Sequence, residues 1–136
     1  MKKVVFACVH SAGRSQMAAA FLNALADPAR VRGMSAGTQP AERVHPEVLA
    51  TMKEVGLDLA GATPNLLTEE LAKDAALLVT MGCGDACPYV PGLRRLDWEL
   101  QDPKGQPAEV VRRIRDDIRA RVERLVTAEG WPRRGG

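Results

Sequence analysis

The sequence predicts an α/β domain in three layers, a four-stranded parallel sheet with helices on both faces. Short apolar runs suited to buried strands alternate with stretches whose apolar residues recur every three or four positions. Turn residues (Asp27-Pro28, Gly37, Gly56, Gly82) fall between those runs and mark where each should stop. The resulting order, βαβαβ(α)βα, is that of a parallel sheet joined by crossover helices.

Each element has its own signal. Residues 3–7 (KVVFA) read as a buried strand ending at Cys8, and Met17, Ala18, Phe21, Leu22 and Leu25 then set a helix from about Ser15 to Leu25. Residues 31–36 (VRGMSA) form a second strand closed by Gly37. Pro46 suits a first helical position, with Val48, Leu49, Met52 and Val55 on one face and Gly56 as the stop. Thr68, followed by Glu69 and Glu70, begins a short third helix. Residues 75–81 (AALLVTM) are the clearest strand, and 93–97 (LRRLD) a weaker one. Over 108–127, Val111, Ile114, Ile118, Val122 and Leu125 define a long amphipathic helix. The GWPRRGG ending is expected to fray, from about 129 to 136.

Size and composition narrow the function. A chain of 136 residues suits one domain, 1–136, able to bury a core without disulfides. At 46% hydrophobic but 4% aromatic, that core must rest on Leu, Val, Ile, Ala and Met. A net charge of +2 with 26% charged residues gives no electrostatic case for nucleic acid. No apolar run approaches the ~20 residues of a membrane span. The apolar start after Lys2 and Lys3 is too short for a secretory signal, so a cytoplasmic location is expected. Three cysteines in a reducing compartment suggest chemistry more than a disulfide framework.

The opening stretch KVVFACVHSAGRSQM is where that chemistry gathers. In open parallel sheets, ligands bind beyond the carboxyl ends of the strands. Cys8 sits at such an end, and Val9, His10, Ser11, Ala12 and Gly13 link it to a helix beginning near Arg14. A tight loop feeding a helix N-terminus aims backbone N–H groups at one spot, which suits an oxyanion. The same field favours the thiolate form of a cysteine. Arg14 supplies a planar clamp for two oxygens of a tetrahedral anion, and the Ser15 hydroxyl is placed to stabilise the thiolate. Cys-x5-Arg alone is a weak signal; the strand before it and the Ser and helix after it give it weight. The competing reading is a buried structural cysteine with a surface arginine.

With CVHSAGRS, the later SAGT (Ser35–Thr38) and the Asp-Pro of LQDPKG, the chain resembles the low-molecular-weight protein tyrosine phosphatases. VTMGCGDACPYVPG (Val79–Gly92) followed by DWELQDPKGQ resembles the branch of that family that became arsenate reductases. The resemblance runs from Val4 to about Leu125 and implies a four-stranded parallel sheet flanked by helices. The loop departs from the family at two positions: Ser11 stands where Asn is common, and His10 where Gly is usual.

The resemblance implies arsenate as substrate, phosphate or sulfate as analogues, and no tightly bound cofactor. A reductase must also deliver two electrons. Cys83 and Cys87 follow the third strand, on the same rim as Cys8. Thiolate attack on arsenate would give a Cys8–arsenic adduct; Cys83 would then attack the Cys8 sulfur and release arsenite, and Cys87 would carry the disulfide outward for thioredoxin. Gly82 and Gly84 make the required motion plausible. Two other readings of Cys83 and Cys87 stand: a zinc site, although only His10 and His45 offer further ligands, and simple packing. A variant uses Cys8 alone, with mycothiol or glutathione resolving the adduct and a glutaredoxin-like protein reducing it.

Asp102, before Pro103, matches the family's general acid, with Asp97 and the more distant Asp85 as competitors. His10 is as readily a loop residue as a tuner of Cys8, His45 a helix-entry residue, and Trp98 a core residue or a pocket wall. The segment 100–107 (LQDPKGQP) has no aromatic residue to grip a phenyl ring, which favours a small inorganic substrate over phosphotyrosine. The arginines of 112–124 form a solvated face, with no partner assigned, and a monomer is expected. Two other classes remain: a phosphatase that ignores Cys83 and Cys87, and a non-catalytic arsenite or metal sensor using three soft ligands, for which no DNA-reading element is evident.

Overall fold

Alternation along the first strand divides the core. Val4, Phe6 and Cys8 pack into one apolar cluster, while Val5 and Ala7 pack into another, as a two-residue repeat with both faces covered requires. The computed structural model describes residues 2–82 and 90–133. Their elements are β1 (Lys2–Cys8), α1 (Arg14–Leu25), β2 (Val31–Gly37), α2 (Pro46–Lys53), α3 (Glu69–Lys73), β3 (Leu77–Thr80), β4 (Arg95–Asp97) and α4 (Ala108–Glu129). All strand pairs are parallel, in the order β2-β1-β3-β4, with Cys8 beside Gly37 and Ala7 beside Thr80.

The expected three layers are present but unequal. One face carries α1, α2 and α4, whose Met17, Leu22, Val48, Met52, Ile114 and Ile118 join the larger cluster. The other is covered by the short α3 and its flanks, through Leu67, Leu71 and Ala75. The heptad-like stripe on α4 is buried as its spacing predicts. Pro46 opens α2, and the Thr68 hydroxyl accepts from the Leu71 N–H at 3.1 Å to cap α3. Among the described residues no helix is long and apolar enough to cross a membrane.

Several boundaries differ from expectation: β4 is Arg95–Asp97 rather than 93–97, and α4 runs to Glu129 rather than 127. The third strand is Leu77–Thr80 rather than 75–81, although hydrogen bonds from Ala76 to Lys3 and from Met81 to Ala7 extend its pairing on both sides. The ending, expected to fray from about 129, is packed through Arg133. Gly130, at φ 74°, closes α4 while the Trp131 N–H bonds back to Val126, and Trp131 is only 6% exposed. The Trp131 carbonyl accepts from Asp27, and Arg133 reaches the carbonyls of Asn23 and Ala24 at the end of α1. The residues after the helix stop therefore tie the end of α4 to the end of α1, with the indole buried in the core.

The sheet also positions the site. From β1 the chain moves first to β2 on one side and later to β3 on the other. The carboxyl end of β1 is thus the switch point, where a crevice opens in a parallel sheet.

Candidate active site

β1 ends on Cys8 because the next residues leave the sheet in a loop that feeds α1. Ser11 takes a left-handed conformation, φ 51°, and Gly13 caps the helix without a side-chain bond. Every carbonyl of that loop is held from outside. Thr38, Gln39 and Ala41 donate to the carbonyls of Cys8, Val9 and His10, His45 donates to Ala12, and Met17 to Gly13. The Gln16 side chain completes the set, its amide donating to the Ser11 carbonyl at 2.9 Å and to the Thr63 carbonyl at 3.1 Å. No described residue accepts from the N–H groups of Val9, His10, Ser11, Ala12 or Gly13. With its carbonyls turned outward, the loop directs its amides inward at the N-terminus of α1, an arrangement suited to a tetrahedral oxyanion.

Glycines set how closely other segments approach. A Cβ on Gly37 would stand 2.5 Å from the Val9 oxygen and 2.7 Å from the Ser11 nitrogen, so only hydrogen fits between β2 and the loop. At Gly82, φ is 106° and a Cβ would meet the Arg14 guanidinium at 2.4 Å. At Gly13 it would stand 2.9 Å from Pro103.

Several of the candidate side chains lie close together. Cys8 is buried, 2% exposed, with its sulfur 2.9 Å from the Ser15 hydroxyl. Ser15 is 2.6 Å from the Ser35 hydroxyl, which lies 2.7 Å from that of Ser11. The Arg14 side chain is almost wholly buried; it donates to the Leu100 carbonyl at 3.2 Å and stands 3.9 Å from the Asp102 carboxylate. Asp102 is 44% exposed and accepts from the Lys104 N–H at 3.0 Å, which folds the Asp-Pro loop over Gly13. The competitor Asp97 is turned to Thr80, its first cause of a lowered pKa, and to Arg95, both bonding its carboxylate. Such a carboxyl gives up its proton early and is a poor acid. Cys83, Cys87 and Asp85 lie outside the described residues.

The remaining candidates take quieter places. Trp98 packs on the core with its ring 6.0 Å from Phe6. His10 bonds the Gln39 carbonyl at 3.1 Å. His45 has its pKa lowered chiefly by burial, while Glu47 and Asp102 pull it upward. The sequence alone assigned no part in the site to Gln16, Asn65 or the Leu100 carbonyl, and used Ser35 and Gly37 only as a strand end and a motif of resemblance. The repeat of Ser-Ala-Gly at 11–13 and 35–37 was the available signal for the second segment.

A search of known families places residues 3–130 in the low molecular weight phosphotyrosine protein phosphatases. A glutaredoxin arsenate reductase of Synechocystis is 38% identical over 129 residues, covering 93% of this chain and 97% of the relative. Among solved structures, a thioredoxin-dependent arsenate reductase of Corynebacterium glutamicum aligns over 94% of the chain at 39% identity and TM-score 0.82; the match spans 61% of that longer protein. An arginine phosphatase of Geobacillus stearothermophilus aligns over 96% of the chain and 94% of its own length, at 27% identity and TM-score 0.78. The strand-loop-helix cradle, the Asp-Pro loop above it and these likenesses lead to one statement: the chain belongs to the low molecular weight phosphotyrosine protein phosphatase family.

Proposed function

We propose that this protein reduces arsenate to arsenite, in the cytoplasm and as a monomer. The observation that carries the reading is the pairing of the buried Cys8 sulfur with Ser15 inside a cradle of inward amides, closed by Arg14 and Asp102. Arsenate enters with its oxygens on the amides of Val9–Gly13 and the Arg14 guanidinium. The Cys8 thiolate attacks arsenic, and Asp102 gives its proton to the departing oxygen, so that water leaves and a Cys8–arsenic bond remains.

The second stage moves electrons. The Cys83 thiolate attacks the Cys8 sulfur; the S–As bond breaks, its electron pair goes to arsenic, and arsenite departs. Cys87 then attacks Cys83, freeing the Cys8 thiolate and leaving a Cys83–Cys87 disulfide for an external dithiol. Support for reduction comes from the two cysteines after β3 and from the arsenate reductases among the similar proteins, one coupled to thioredoxin and one named for glutaredoxin. The same names leave two reductant classes, a thioredoxin-type dithiol or a small thiol with glutaredoxin.

A phosphatase is the second reading, favoured by the arginine phosphatase at TM-score 0.78. It needs Cys8, Arg14 and Asp102 but neither later cysteine. Arsenate-dependent NADPH oxidation, coupled through thioredoxin or glutathione–glutaredoxin, separates the two when run on Cys8→Ser, Cys83→Ser and Cys87→Ser. Loss of turnover in all three supports the three-thiol path. Dependence on Cys8 alone, with glutathione, supports external resolution. Hydrolysis of an aryl phosphate without arsenite in either system would overturn reduction.

A further inference from the structure

His45 is a buried imidazole beside the oxyanion loop that no step of the thiol chemistry uses. It is 9% exposed and stands at the entry to α2. Its main chain does the structural work. The N–H donates to the Ala12 carbonyl at 2.9 Å, and the carbonyl accepts from the Val48 and Leu49 N–H groups, both at 3.0 Å. Those bonds need a backbone and no imidazole. The ring caps no helix N–H and hydrogen-bonds to no described residue. Among the described residues no buried side-chain nitrogen lacks a partner, so the ring nitrogens of His45 meet solvent.

The ring lies where the oxyanion loop meets the Asp-Pro loop. A Cβ on Gly13 would stand 3.4 Å from His45 Cδ2 and 2.9 Å from Pro103 Cγ, so both rings close on the last residue of the cradle. The His10 ring, in the loop itself, is edge-on with its centroid 6.2 Å away. Every neighbouring element brings charged or titratable groups to this corner. The loop and the start of α1 bring Cys8, His10 and Arg14, α2 brings Glu47, and the Asp-Pro loop brings Asp102 and Lys104; Glu42 and Arg43, just before His45, are exposed. Burial is the chief influence on the His45 pKa and lowers it; Glu47 and Asp102 raise it, while Lys104 and His10 lower it.

The inward amides, the N-terminus of α1 and the Arg14 guanidinium all present positive potential here, which opposes a further positive charge. A tetrahedral anion in the loop cancels that potential and sets negative charge near the ring. We propose that His45 is a proton-linked member of the anion site: an oxyanion seated in the Val9–Gly13 loop draws a proton from solvent onto the imidazole, and the charged imidazole holds the oxyanion more tightly. The coupling is reciprocal, because anion and proton raise each other's affinity by the same factor. Anion affinity therefore rises as pH falls through the His45 titration, which lies below 6.5 in the free protein. The inference rests on the reading of Val9–Gly13 as an oxyanion loop, but on no step of arsenate reduction.

The test follows the His45 ring protons by NMR through a pH titration of the full chain, with and without saturating sulfate, an anion whose own charge does not change over the range. The chain carries Cys8→Ser, so that no thiol at the site takes up the proton. It has two histidines, and His10→Gln assigns their signals. Sulfate should move the His45 midpoint upward by about half a unit to one unit. Calorimetry should then show sulfate binding about three- to tenfold tighter below the His45 midpoint than well above it, and His45→Gln should lose most of that gain. A midpoint that stays in place or moves downward under saturating sulfate would overturn the proposal, as would the same pH dependence of binding in His45→Gln. Should His45→Gln fail to fold, the ring titration decides alone, since it needs no change at position 45. Sulfate binding at no pH would show that the loop is not an anion site, and the proposal would fall with it. A shifted midpoint in a chain that reduces no arsenate would uphold the linkage and count against the reductase reading alone.

Discussion

The floor and the lid of the site are built by different means. The floor, residues 8–15, is buried except at Val9 and His10, the carbonyls of its loop are held, and β2 presses on it with only a glycine hydrogen between. The lid, Asp102–Gly105, has Pro103 buried over Gly13 but Lys104 and Gly105 exposed, and it is held by the Lys104 N–H on Asp102 and by the Gly105 N–H 3.3 Å from the Glu47 carboxylate. A cradle for an anion must hold its dipoles still before the substrate arrives, because reorganisation would consume the binding energy. A proton donor needs only to be within reach at one moment, and an exposed loop lets product leave.

The widest separation between floor and lid should come from the same substitution placed in each. Gly37→Ala drives a methyl into the Val9 oxygen and should cost about 1–3 kcal/mol or more and abolish anion binding. Gly105→Ala has open space around it and should cost about 1–2 kcal/mol, for its φ of 71° alone, with anion affinity kept. Urea midpoints and arsenate or phosphate titrations on both variants read this directly. Equal losses of affinity would erase the distinction.

A second, smaller effect isolates the lid's chemistry. Asp102→Asn should lower kcat about 10²- to 10⁴-fold while the folded state keeps its midpoint, since the carboxylate's 3.9 Å pairing with Arg14 is half-exposed. Anion affinity should hold or rise, because a negative charge beside the guanidinium is gone. A rise in KM without a fall in kcat would assign Asp102 to binding instead.

The smallest effect concerns the post between floor and lid. His45 bonds the floor through its N–H to Ala12, its ring lies against Gly13, and Glu47 on the same helix reaches the lid. Burial lowers its pKa below 6.5, so the unfolded chain binds its proton more readily. Stability should therefore fall as pH drops through 6.5 toward the folded value, and rise again as pH returns above 6.5. Glu47→Gln removes a charge that pulls the His45 pKa upward, so the ring should titrate lower still, as NMR of the ring protons would record. An upward move would contradict the assignment.

The floor was far more legible in the sequence than its supports. A strand stopped by Cys8, a short loop and Arg14 at a helix start are local, and the strand before and the helix after give their spacing its weight. Likewise the stripe of α4, Pro46 and the Thr68 cap announce themselves within a few residues. Ser35 and Asn65 act across 20 and 54 positions, on Ser15 and Ser11, and no local pattern marks a serine as buried. Trp131 was misjudged for a related reason. Gly, Pro and Arg around it suggest a loose end, yet the glycine is a helix stop that turns the indole back onto the core. The Asp-Pro pair already set Asp102 apart from Asp97 in the sequence, and the bonds from Thr80 and Arg95 to the Asp97 carboxylate add a reason only the fold supplies.

The most direct test of the central claim uses reduced protein, arsenate and no external reductant, quenched after one turnover. Arsenic speciation and thiol counting are then read on the same sample. The expected result is about one equivalent of arsenite per chain, two thiols lost, and a Cys83–Cys87 disulfide in the peptide map, with Cys8 free. No arsenite, with all three thiols still titratable, would contradict it.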